Sequence, residues 1–276
     1  MHNRLHDRWC LVLGASSGIG RATALALARQ GAHVVGLHFD RGDALDAARG
    51  LECELRALGV RAHLHNANAA ADRTRARLVP EIVRLTGGRE LRTVLHSLAF
   101  GSLRPFLPAD GGTGALTRAQ LEMTLDVMAH SLVYWTQDLM AAGLLGRGSR
   151  VLAMTSAGTH QVLPSYGAVS AAKAALESHV RQLACELAPH GVSVNALRAG
   201  VTVTPSLLRI PGHEEFTGPG ANGNPHGRLT TPEDVADAVT LLANAPSSWL
   251  TGNTIGVDGA ELLAAGTGWN PNGGTR

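Results

Sequence analysis

Short apolar runs alternate with longer amphipathic stretches from the N-terminus almost to the end of the chain. The runs Trp9–Leu13, His33–His38, Val60–Asn66, Leu91–Leu98, Arg150–Thr155, Val192–Leu197 and Asn253–Val257 are short and rich in aliphatic residues, so each predicts a strand. Helical periodicity fills the intervals, as in Ile19–Gln30, stopped by Gly31, and Ala44–Leu58, stopped by Gly59. The longest such pattern, Ala168–Leu187, sets Leu176, Val180, Leu183 and Leu187 on one stripe, and another runs from Thr117 to about Met140. Strands alternating with helices of crossover length predict an α/β fold: a single Rossmann-type, doubly wound parallel sheet of about seven strands with helices on both faces.

Two stretches break the pattern: residues 101–114, and Pro205–Arg228 with its four prolines and five glycines. Long irregular connections in a compact domain are commonly functional. Ser206–Ile210 carries apolar side chains suited to a substrate lid, with Pro211-Gly212 and Gly218-Pro219-Gly220 as breaks. The tail 266–276 is expected to fray.

At 276 residues and 45% hydrophobic, the chain can bury one sizeable core, so residues 1–276 are expected to form one domain. Its 24 basic and 22 acidic residues are interspersed, which argues against nucleic-acid and membrane-surface partners. Cys10, Cys53 and Cys185 lack CxxC spacing, so neither a disulfide framework nor a metal site is expected. Without a long apolar segment or a signal-peptide pattern near the N-terminus, the reading is cytoplasmic. Every basic residue except Lys173 is arginine. That singles out a position where a compact ammonium does what a planar guanidinium cannot.

Candidate chemistry begins after the first strand. Gly14-Ala15-Ser16-Ser17-Gly18-Ile19-Gly20 is a GxxxGxG turn opening a helix, where glycines let the backbone approach a pyrophosphate and the helix N-terminus supplies N–H groups and a positive dipole. The second strand ends in His38-Phe39-Asp40-Arg41. An acidic residue there would suit a ribose diol, whereas Arg41 would attract a 2′-phosphate, so NADPH is favoured over NADH. Only two tyrosines exist, Tyr134 and Tyr166. Tyr134 falls mid-helix beside apolar neighbours, while Tyr166 precedes Lys173 by seven residues, which at about 100° per residue returns to the same helix face. A phenol of ordinary pKa about 10 beside an ammonium makes a proton donor.

With these motifs, the stretch from about residue 8 to 260 resembles the short-chain dehydrogenase/reductase superfamily. Most members carry Tyr-x3-Lys, and this chain has Tyr-x6-Lys, with Val169 where the usual tyrosine would stand. Ser156 lies 17 residues before Lys173, the superfamily's usual interval, so the tyrosine alone has moved. That displacement resembles the enoyl-acyl carrier protein reductase branch. His96-Ser97-Leu98-Ala99-Phe100 in place of the more usual Asn-Asn-Ala-Gly and an acidic Asp126 agree with it, and the branch's common second tyrosine is replaced by Ser156.

The resemblance implies catalytic roles for Tyr166, Lys173 and Ser156. It implies cofactor contacts at Gly14, Ser16, Ser17, Gly18, Ile19, Gly20 and Arg41, and an adenine edge at Asn68 and Ala69. Further contacts would come from Ser97, Leu98, Ala99 and Lys173, and a nicotinamide turn from Gly200, Val201, Thr202 and Thr204. It also implies a carrier-bound acyl thioester substrate, with acyl carrier protein as a possible partner, and a homotetramer. The apolar residues Leu121, Leu125, Met128, Leu132 and Trp135 would then face a second copy. A carbonyl reductase or alcohol dehydrogenase of the same fold is the first alternative, and a dinucleotide-binding protein without turnover the second.

Overall fold

A computed structural model describes residues 3–108, 114–217 and 224–265. The apolar runs become β1 (Trp9–Leu13), β2 (His33–His38), β3 (Ala62–Asn66), β4 (Leu91–His96), β5 (Arg150–Ser156), β6 (Ser193–Ala199) and β7 (Thr254–Val257). All seven pair in parallel, in the order β3-β2-β1-β4-β5-β6-β7. Every residue of β1 and β4 is buried, because helices cover both faces of the sheet; this is why β1 reads as an unbroken apolar run, while β4 buries Arg92, Thr93 and His96 among its apolar residues.

The helices are α1 (Gly18–Arg29), α2 (Asp43–Ala57), α3 (Asp72–Thr86), α4 (Arg118–Leu125), α5 (Ser131–Ala141), α6 (Gly167–Leu187), α7 (Glu214–Thr217), α8 (Pro232–Asn244) and α9 (Glu261–Ala264). Successive strand residues serve opposite faces. Cys10 and Val12 of β1 pack with Leu27, Leu51, Leu55 and Val239 from α1, α2 and α8. Leu11 and Leu13 pack with Ile82, Trp135, Leu176 and Val180 from α3, α5 and α6. The chain proceeds from β1 outward to β3, then returns to β4 on the other side of β1. That reversal opens a crevice at the carboxyl ends of β1 and β4, where doubly wound sheets bind ligands.

Three expectations change. The stretch Thr117–Met140 is not one uniform helix: a π-helical turn, Asp126–His130, joins α4 to α5. There the Ser131 hydroxyl donates to the Val127 carbonyl at 2.8 Å, and its Oγ lies 2.8 Å from Nε2 of buried His96. Met128, Leu132 and Trp135 sit in the chain's own core, so the stripe assigned to a second copy is mostly interior, with Leu121 and Leu125 half-buried. β4 ends at His96 rather than Leu98, because the Leu98 carbonyl turns to accept from Lys173 Nζ. The Gly218-Pro219-Gly220 break and the tail 266–276 lie outside the described residues. Among the described residues, no helix is long and apolar enough to cross a membrane.

Candidate active site

The loop after β1 fits an anion. A side chain on Gly14 would collide with the Ser97 carbonyl and one on Gly20 with the Gly14 carbonyl, so only glycine permits this close packing. Gly18 takes a positive φ of 50°, and a Cβ there would lie 3.0 Å from Thr204 Cγ2. Ser17 N-caps α1 without a side-chain hydrogen bond, and no acidic residue occupies the first turn. The first N–H groups of α1 therefore have no capping side chain, an arrangement suited to a pyrophosphate. Ser16 and Ile19 are half-buried beside it and Ser17 is exposed.

At the end of β2, buried His38 shares a 2.9 Å hydrogen bond with the Asp40 carboxylate. Asp40 is tied further by its backbone, which exchanges two 3.0 Å bonds with the Asn66 side chain. Exposed Arg41 lies 5.9 Å over the Phe39 ring and has no carboxylate partner among the described residues. A cavity of about 410 Å³ opens beside Phe39 and Asn68 and is bounded by Arg73 and Arg77 of α3. Asn68 Oδ1 accepts from the Ala70 N–H at 3.0 Å, shaping the entry to α3, and the Ala69 carbonyl accepts from Trp135 Nε1 at 2.8 Å.

Across the crevice, Tyr166 is the N-cap of α6, with φ −95° and ψ 0°. Its hydroxyl donates to Ser156 Oγ at 3.3 Å, and Ser156 Oγ also accepts from the Gly158 N–H at 3.1 Å. Gly158 is required because a Cβ there would come 2.5 Å from Tyr166 Cε1. Lys173 lies two turns into α6, buried, and Nζ donates to the Met154 carbonyl at 2.8 Å and the Leu98 carbonyl at 3.3 Å. It thereby bridges the ends of β5 and β4. Burial pushes its ammonium down to about 8, with Glu177 opposing the shift. Burial holds the Tyr166 phenol above its ordinary value, opposed by the bond to Ser156. In this arrangement the Nζ hydrogen bonds named here go to backbone carbonyls rather than to the Tyr166 hydroxyl. Half-buried Ser97 and Leu98 and exposed Ala99 line the β4 end, and the Ser97 N–H donates to the Leu13 carbonyl at 2.9 Å.

Beyond β6, Thr202 is buried, its hydroxyl donating to the Gly200 carbonyl at 2.8 Å. Thr204 lies against Gly18, as noted, and its Oγ1 accepts from the Leu207 N–H at 3.2 Å. The turn 200–204 and the glycine loop thus face each other at one end of the crevice. Leu207–Arg209 follows as a short 3-10 turn, with Leu208 exposed and Ile210 buried.

Comparison with known proteins matches this geometry. A family model described as Enoyl-(Acyl carrier protein) reductase covers residues 14–259. The chain belongs to the short-chain dehydrogenase/reductase superfamily. It is 32% identical over 168 residues to the enoyl-acyl-carrier-protein reductase (NADH) of Aquifex aeolicus, a match spanning 61% of each chain. Identity to the 1-cyclohexenylcarbonyl-CoA reductase of Streptomyces collinus is 28%, over 92% of this chain and 87% of that one. Identity to the cyclohexanol dehydrogenase of an Acinetobacter species is 31%, over 94% and 97%. A short-chain dehydrogenase of Burkholderia cenocepacia, solved in complex with NADP, superposes with a TM-score of 0.77 at 26% identity, over 94% and 99% of the two chains.

As a short-chain dehydrogenase/reductase, the chain is of a family of NAD(P)-binding oxidoreductases. The sequence-predicted residues gather along the carboxyl edge of the sheet, from Arg41 through Gly14–Gly20 and Ser97–Ala99 to Ser156, Tyr166, Lys173 and the 200–204 turn. Tyr134 does not join them: it packs under Arg75, whose guanidinium carbon is 4.9 Å from its ring. Sequence reasoning missed Arg73 and Arg77, for which the signal was an i,i+4 arginine pair just after Asn68. It also missed the His38–Asp40 pair, whose two-residue spacing at a strand end was visible. Nothing local could have revealed Glu177, which accepts from Thr155 Oγ1 at 2.7 Å across 22 residues.

Proposed function

We propose that this short-chain dehydrogenase/reductase reduces the carbon–carbon double bond of an enoyl thioester with NADPH. The observation that carries the reading is the placement of the hydroxyl donors. Val169, where the superfamily's usual tyrosine would stand, is buried in the core and cannot donate, while Tyr166 meets Ser156 one helical turn earlier.

The dinucleotide, when bound, supplies the hydride. The α1 N-terminus and Gly14–Gly20 loop would hold its pyrophosphate, and Lys173 its nicotinamide ribose, while Thr202 and Thr204 would face its carboxamide. Tyr166 would hydrogen-bond the thioester oxygen, where negative charge accumulates as hydride reaches the β-carbon, and deliver or orient the proton there. Ser156, already bound to the phenol, would keep that hydroxyl aimed into the crevice. For the cofactor, Asp40 is occupied by His38 while Arg41 has no carboxylate to neutralise it among the described residues, which favours a 2′-phosphate over a free ribose diol.

The likeness to a cyclohexanol dehydrogenase keeps carbonyl reduction as the second reading, since a Tyr–Ser hydroxyl pair would equally serve a ketone oxygen. NADPH oxidation with crotonyl-thioester and, separately, acetoacetyl-thioester decides between them. The enoyl substrate should turn over at least about tenfold faster; faster turnover of the ketone would replace this reading with the second, and no turnover of either would overturn both.

A further inference from the structure

Behind the 200–204 turn lies a carboxylate that the catalytic scheme does not use. Glu261, at the first position of α9, places both carboxyl oxygens 3.1 Å from the Val201 backbone N–H. It is half-buried, and burial raises its carboxyl above the usual carboxylate range, opposed by the bonds from Val201 and the Asn224 side chain. A charge withdrawn from water is costly unless hydrogen-bonded, so its position is held by what it accepts.

Its neighbours leave little slack. A Cβ on Gly200 would come 2.5 Å from Thr230 Oγ1 and 2.8 Å from Glu261 Oε2, so only glycine leaves room for the carboxylate beside this turn. Asn224 is buried and donates to the Asp258 carbonyl at 2.7 Å, and Asp258 pairs with Arg198 of β6 at 3.4 Å. Thr202 forms an isolated bridge with Thr230. Glu261 therefore joins three separate parts of the chain: the turn after β6, the segment beginning at Asn224, and the helix after β7.

We propose that Glu261 is a positioning residue, whose carboxylate grips the Val201 amide and fixes the turn carrying Thr202 and Thr204 where the nicotinamide is met. This rests on the reading of that turn as the nicotinamide contact. Glu261 touches neither substrate nor cofactor; it acts through Val201.

The test measures binding of NADPH and of 2′-phospho-ADP-ribose, which lacks the nicotinamide, by calorimetry, together with the melting temperature. Wild-type protein should bind both. Glu261→Ala should weaken NADPH by about tenfold or more, the loss expected for a hydrogen bond to a charged acceptor, while leaving 2′-phospho-ADP-ribose within about twofold. Glu261→Gln, whose amide oxygen still accepts from Val201, should recover most of the NADPH affinity. Should the alanine variant not fold, Glu261→Asp, one methylene short of the amide, makes the same comparison. Equal weakening of both ligands would show that Glu261 merely supports the fold, and unchanged NADPH affinity would show that the grip is idle; either overturns the proposal. Failure of the wild type to bind either ligand would instead overturn the cofactor reading on which the proposal rests.

Discussion

At the scale of single residues, the proposed site turns on two groups in which burial favours the neutral form, raising the phenol of Tyr166 and lowering the ammonium of Lys173. Tyr166 is kept protonated, which suits a donor, and its hydroxyl donates to Ser156. Tyr166→Phe removes the phenol without emptying the space, so turnover should fall by about 10²-fold or more while NADPH dissociation, measured by fluorescence titration, changes little. Near wild-type turnover would remove Tyr166 from the mechanism. Lys173 is different because its ammonium, at about 8, titrates in an accessible range. Its folded value is depressed, so the folded state holds the proton less tightly than the unfolded chain. The stability linked to it is therefore complete above the unfolded value near 10.5 and is lost as pH falls through about 8. For the cofactor the sign is reversed, because the ribose would be held by the charged form: NADPH affinity should decline as pH rises above about 8. In Lys173→Arg that alkaline limb should vanish, since guanidinium stays charged. An alkaline limb surviving in Lys173→Arg would assign it to another group.

At the scale of elements, the sequence was most informative where one period governs a whole segment. All seven strands were legible from their apolar runs, with boundaries shifted by one or two residues, as at the end of β4, where Lys173 claims the Leu98 carbonyl. The Tyr166–Lys173 spacing was legible for the same reason, since α6 converts an interval of seven residues into one face. The π turn Asp126–His130 was not, because its stabilising contact comes from another element. His96, on β4, lies 35 residues from Ser131, and no local pattern announces that pairing. Since the Ser131 hydroxyl donates to the Val127 carbonyl, its Oγ accepts from His96, which places the proton on Nε2. Burial and the charge of Lys173 push His96 down to about 3, so the imidazole stays neutral. Ser131→Ala would leave that buried N–H without its acceptor, at a cost of about 1–3 kcal/mol. Urea denaturation should show a lower midpoint with an unchanged slope, whereas an unchanged midpoint would mean that the hydrogen bond contributes nothing to the π turn.

At the scale of the whole molecule, the parallel sheet gathers loops from far apart in sequence at one edge, so on the proposed reading cofactor recognition would be distributed over the fold. Arg41 follows β2, the glycine loop follows β1, and the 200–204 turn follows β6, yet one dinucleotide would touch all three. A ligand bound only by such an assembled edge stabilises the folded state against the unfolded chain by RT ln(1 + [L]/Kd), about 2.7 kcal/mol at a hundredfold excess over Kd. For a domain of this size that corresponds to a rise in Tm of about 5 °C. Because Asp40 is engaged by His38 and Arg41 is left for an anion, NADPH at a given concentration should raise Tm by several degrees more than NADH. Arg41→Ala should bring the NADPH shift down toward the NADH shift and leave the latter nearly unchanged, because the 2′-phosphate is the only difference between the two ligands. Equal shifts in the wild type would assign the enzyme to both cofactors. A parallel loss for both in Arg41→Ala would show that the arginine, stacked on Phe39, shapes the loop rather than reading the phosphate.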